Sequence, residues 1–136
     1  MNAKRYVGSV VVVLVFLTLS GWLIHGVLLE DLYMAHQQFW RPIDVMKRLM
    51  PFIHLSNFIF ALLFCFIYTK GLEGKSPVGE GLRYGLLIGL LIHLPMTITE
   101  ATYVPYPMKL YVAWLIGGVI ETTLAGGLLG LTYRKA

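Results

Sequence analysis

The side chains of this chain best suited to proton or metal chemistry are its four histidines and seven acidic residues. Two of them, His93 and Glu121, fall deep inside long apolar runs. A carboxylate alone in hydrocarbon tends to take up a proton, and a lone imidazole tends to lose one. Hydrogen bonded together, they can share that proton as a neutral pair or an ion pair. Each lies fourteen residues from Pro107, so a helical hairpin centred on that proline would place them at one depth. The spacing therefore predicts a His93–Glu121 pair in the membrane interior, either structural or part of a relay. His25, His54 and Glu100 fall closer to the ends of their runs, at similar inferred heights. They form a candidate outer polar layer, with Glu30, Asp31 and His36 at its rim. His25, His54 and His93 are also the candidate ligands for haem iron or a metal, since histidines facing inward from different helices can serve that purpose. No CxxCH, HExxH or ExxH pattern accompanies them. No nucleophile–base spacing or phosphate-binding glycine loop is visible either, so the enzyme question stays open, leaning to no.

These residues need elements to hold them, and composition says which. The chain has 136 residues, 57% of them hydrophobic, with a mean hydropathy of +0.72. Charged residues make up 13%, against about 25% in ordinary globular chains. This is a membrane composition in a single domain. The net charge of +4 does not point to nucleic acid, because the basic residues sit singly or in pairs at the ends of apolar runs rather than in a patch. The single cysteine, Cys65, excludes an intrachain disulfide and reads as a small residue in a helix contact.

Four apolar runs are expected to span the bilayer, at about 7–29, 52–68, 82–103 and 110–133. The first continues about nine residues beyond Ser20, longer than a signal h-region, and reads as an uncleaved span. The segment 30–50 is too polar to cross. Tyr33, Phe39 and Trp40 suit the headgroup level, and Asp44 and Arg48 make an i, i+4 pair. That segment is expected to lie on the membrane surface, with Pro51 opening the second span. The fold class is thus all-α, a transmembrane four-helix bundle running up-down-up-down, with an interfacial segment between spans one and two.

In the third span, steps of four give Gly81, Gly85, Gly89, His93, Thr97 and Ala101, and Glu100 shares that face one heptad after His93. In the fourth, Gly118, Thr122, Gly126 and Gly130 form a second ridge of small residues. Gly85, Gly89, Gly118, Gly126 and Gly130 are therefore the candidate helix-packing positions. With the N-terminus inside, the inner side holds Lys4, Arg5, Lys70, Lys75, Arg83, Arg134 and Lys135. The outer side holds Arg41, Lys47, Arg48 and Lys109. The bias predicts both termini in the cytoplasm.

The stretches His25-Gly26-Val27-Leu28-Leu29, Tyr33, Trp40-Arg41-Pro42 and Gly81-Leu82-Arg83 carry a resemblance. They are similar to a group of uncharacterised small bacterial inner-membrane proteins in which four predicted spans fill nearly the whole chain. The resemblance implies a bacterial, membrane-embedded setting and brings no activity with it. Three functions are weighed. The first is an accessory or structural subunit whose partners are the lipid bilayer and another membrane protein or a second copy. The second is a haem- or metal-binding protein. The third is a proton or small-solute relay through His93 and Glu121.

Overall fold

The computed structural model describes residues 2–74 and 76–134, so Lys75 and Lys135 of the charge count lie outside the described residues. All regular structure among the described residues is helical. Helix α1 covers Ala3–Leu23 and continues through one π turn, Ile24–Leu28. A short α2 (Glu30–Met34) and a 3-10 turn (Gln37–Phe39) lead to three long helices, α3 (Ile43–Gly71), α4 (Pro77–Tyr103) and α5 (Met108–Thr132). Four stretches, Ala3–Leu28, Ile43–Gly71, Pro77–Tyr103 and Met108–Thr132, are long and apolar enough to cross a membrane. The chain is an all-α four-helix bundle of the multi-pass membrane type.

The surface segment is shorter than its composition suggested. Pro42 stands at the N-cap of α3, and the helix then runs without a break through Pro51. The amphipathic turns at 43–50 are the beginning of α3 rather than a separate surface helix. A membrane helix tolerates an interior proline because only one backbone bond is lost and neighbouring groups can re-satisfy it. At 29 residues, α3 is about 44 Å long. That exceeds the ~30 Å hydrocarbon core, so its first turns, with Asp44, Lys47 and Arg48, fit the headgroup level. Asp44 and Arg48 approach to 4.0 Å, but both are largely exposed, and such a pair contributes little.

The bundle is closed at the end carrying both termini. Val10, Val13 and Leu17 of α1, Ala61, Phe64, Cys65 and Tyr68 of α3, and Ala125 and Leu129 of α5 form the core there. Tyr hydroxyls tie the elements across this end. Tyr6 donates to the Leu62 carbonyl at 3.0 Å, and Tyr84 donates to the Phe64 carbonyl at 2.6 Å. Arg5 reaches the Arg134 carbonyl at 2.7 Å, which sets α1 antiparallel to α5. The other end is open: along 43–56 of α3 every residue but Val45 is exposed.

Helices α4 and α5 make the most extensive contact in the molecule, and glycine is what allows it. A Cβ on Gly85 would lie 2.9 Å from the Thr123 Cα and closer still to the Thr122 carbonyl oxygen. One on Gly126 would lie 2.8 Å from the Gly85 backbone, and one on Gly81 would lie 3.0 Å from the Gly130 nitrogen. The backbones touch where a side chain would otherwise hold them apart. These contacts set the register: Gly81 lies between Gly126 and Gly130, Gly85 between Thr122 and Gly126, Gly89 against Thr122, and His93 against Gly118. The hairpin is centred before Pro107, not on it.

Candidate functional site

The open end of the bundle contains a cavity of about 340 Å³ between α1, α2, α4 and α5. From α1 come Ile24 and His25, and from α2 comes Tyr33. Helix α4 supplies His93, Met96, Thr97 and Glu100, the face that the heptad spacing had singled out. Trp114, Gly118 and Glu121 complete the wall from α5. Four of the candidate residues, His25, His93, Glu100 and Glu121, thus meet at one cavity. His54 does not join them. It is exposed on the half of α3 that stands apart, because the α1–α3 packing is confined to the other half.

His93 and Glu121 share the cavity without a direct bond between them. The shift in hairpin register explains this, since His93 comes level with Gly118, one turn from Glu121. The imidazole fills the space above that glycine, where a Cβ would lie 2.6 Å from both ring nitrogens. The Glu121 carboxylate instead meets the Ser20 hydroxyl of α1. Ser20 Oγ also lies 2.8 Å from its own Phe16 carbonyl. A serine has one proton to donate and cannot give it to both acceptors. If Glu121 carries a proton and donates it to Ser20, Ser20 can donate to Phe16 and every group is satisfied.

A second hydrogen-bonded chain runs along the cavity wall. Trp114 Nε1 donates to the Tyr33 hydroxyl at 2.8 Å, and that hydroxyl lies 2.6 Å from His25 Nδ1. Indole N–H is only a donor, so the Tyr33 oxygen accepts from Trp114 and its own proton is free for His25. Burial pushes the Tyr33 phenol up, while the bond from Trp114 pulls the other way. The phenol therefore stays neutral near physiological pH and keeps a proton to donate. His25 owes its place to the π turn, where the Leu29 N–H bonds the Ile24 carbonyl at 2.9 Å. Such turns are frequent at functional sites. Trp114 and Tyr33 also belong to an aromatic cluster with Trp40 and Tyr106. Tyr33 meets Trp40 edge-on at 5.3 Å, and Tyr106 lies flat on Trp40 at 5.4 Å.

The three candidate histidines are not brought together: His25 and His93 line the cavity, and His54 is on a separate surface. Among the described residues, no group of three or more His, Cys, Asp or Glu side chains is placed to hold a metal ion. Glu30 and Asp31, at the start of α2, are exposed and do not line the cavity.

Ser20, Trp114 and Glu80 were not legible as site or anchor residues. Ser20 is a lone hydroxyl in an apolar run, and its role depends on α1 packing against α5, which no local pattern reveals. A double-mutant cycle checks its partnership. Ser20→Ala and Glu121→Leu should couple by about 0.6 kcal/mol and by no more than ~1.7, the range for hydrogen bonds in membranes. His93→Leu and Glu121→Leu should add. Unfolding midpoints in detergent decide, and coupling at His93 with none at Ser20 would reverse the assignment.

Comparison with known proteins gives no match: no family model, no curated protein and no solved structure aligns with the chain.

Proposed function

We propose that this is a protein of the bacterial inner membrane, both termini cytoplasmic, whose cavity is a proton-linked binding site for a small solute, open to the periplasmic side. The observation that carries the reading is the convergence of His25, His93, Glu100 and Glu121 from three separate spans on one cavity. Ionisable groups within spans are costly and usually line a functional cavity. The distribution of Lys and Arg supports the orientation, and the resemblance to small bacterial four-span proteins supports the setting. A one-sided binding site is favoured over a channel because the glycine contact of α4 and α5 fills the other half of the bundle.

Infrared difference spectra of the purified protein, taken across an acid-to-base step, test this. A protonated-carboxyl band should disappear as the pH rises, and it should be absent from Glu121→Gln. A band that the substitution leaves unchanged, or no pH-dependent band at all, would overturn the reading.

A second reading, an accessory subunit of a membrane complex, draws on a different observation. The exposed part of α3 presents Met46, Leu49, Met50 and Phe52 along a shallow groove with Ile53, Ser56 and Asn57, a surface able to take a partner helix or a second copy of this chain. A photo-crosslinker at Phe52 that captures one protein partner in intact membranes would support it, and capture of lipid alone would not.

A further inference from the structure

Resting on the cavity reading above, we propose that the solute is a small organic cation, an amine or quaternary ammonium bearing an apolar group. Three features of the wall select that chemistry. The first is charge. The ionisable side chains lining the cavity are two carboxylates, two imidazoles and the Tyr33 phenol, with no Lys or Arg among them. An anion would meet Glu100 and Glu121 with no fixed positive charge to hold it, whereas a cation gains from both.

The second feature is the pair of aromatic walls. The polar edges of Trp114 and Tyr33 are already engaged with each other at 2.8 Å, and His25 lies parallel to the Tyr33 ring with centroids 6.1 Å apart, so what Trp114 brings to the lining is ring surface. Tyr106, edge-on to Trp114 at 5.3 Å, and Trp40, edge-on to Tyr33 at 5.3 Å, hold those rings in place. A cation over the face of Trp or Tyr is attracted by the ring quadrupole, more strongly where water is excluded. The third feature is size and polarity. Ile24 and Met96 add apolar wall, and about 340 Å³ is at the small end of ligand cavities, which run from about 300 to 1,000 Å³.

The hydrogen-bond inventory at Glu121 adds a consequence. The titratable groups facing Glu121 across the cavity are His25 from α1, Tyr33 from α2, and His93 and Glu100 from α4, while α3 contributes none. With a proton on Glu121 the Ser20 and Phe16 contacts are all satisfied. An arriving cation favours the carboxylate, so the proton leaves as the cation enters, and charge in the cavity is conserved.

Calorimetric titration of the purified protein with benzyltrimethylammonium, in two buffers of different ionisation enthalpy, tests both the binding and the proton. The expected result is saturable binding, release of about one proton per cation, and no binding of neopentylbenzene, its neutral isostere. Trp114→Leu and Glu100→Gln should each weaken binding about tenfold, within the range of a partly desolvated cation–π or charge contact. Equal binding of the neutral isostere, or undiminished cation binding in both variants, overturns the proposal. So does the absence of any binding to the wild-type protein, a result that does not depend on variants folding. If the cation fails to bind while the Glu121 carboxyl band still responds to pH, the solute class is wrong and the proton-linked cavity stands. If both fail, both readings fall.

Discussion

Gly85→Leu is expected to be among the most damaging single changes in the chain, lowering stability in detergent by about 3 kcal/mol, the upper part of the overpacking range. The reason is what the new side chain would meet. At many glycines the neighbour is the tip of a flexible side chain that can swing away. At Gly85 it is backbone, with the Thr123 Cα 2.9 Å from the Cβ position and the Thr122 carbonyl closer still. Backbone on α5 cannot move without separating the two helices along the whole ridge. The same substitution at Gly8, whose Cβ position has nothing within 4 Å, should not lower the unfolding midpoint and serves as the control. An equal loss at the two positions would mean that the α4–α5 contact is not its cause, since replacing a helical glycine with leucine by itself favours the helix.

The ridge at 81, 85 and 89 was legible because close helix packing leaves a local mark, small residues every four positions. Depth was legible only approximately. Placing the hairpin centre on Pro107 puts Glu121 level with His93. The actual centre lies before Pro107, and that small shift puts a glycine opposite the histidine and gives the carboxylate to Ser20. A carboxylate's partner depends on register to within one turn, and register is set by which backbones touch, not by where a turn has its proline. The face carrying His93, Thr97 and Glu100 survives the shift because it belongs to one helix.

His54 illustrates a different limit. The line His54, Asn57, Ala61 and Cys65 looks like one inward face, and half of it is: Ala61 and Cys65 are fully buried. The other half lies on the part of α3 that stands off the bundle, and nothing within α3 marks where contact ends. Nor does composition distinguish a surface helix at 43–50 from the first turns of a long span, since amphipathic turns followed by a proline fit both. Tyr33 was hidden for a related reason. It reads as an anchor at the headgroup level, and only its hydrogen bond with Trp114 gives it to the cavity.

Glu80 gives the other large expected effect, at the opposite end of the molecule. Its position in TKGLEGKSPVGE makes it look like one more solvated charge in a polar loop. Instead it stands in the first turn of α4 and is only 6% exposed. Its carboxylate accepts the Glu73 N–H, and both of its oxygens lie 3.1 Å from the Gly74 nitrogen. Those amides have turned inward because Gly74 takes a φ of 82°, the left-handed region that glycine enters without steric penalty. The acid also sits near the positive end of the α4 dipole, a favourable place for it. Glu80→Ala removes the acceptor and leaves two backbone donors partly buried. Hydrogen bonds to a charged group contribute about 1.5–3 kcal/mol each, and unmade buried donors carry a penalty of similar size, so a loss of about 3 kcal/mol is expected. Glu80→Gln keeps one oxygen able to accept and should lose about half as much. Amide exchange at residues 73 and 74 should quicken in both variants, more in Glu80→Ala, while exchange in the α4–α5 ridge keeps its wild-type rate. If the two variants are equally stable and those amides exchange as in the wild type, the carboxylate is not what holds the α3–α4 turn.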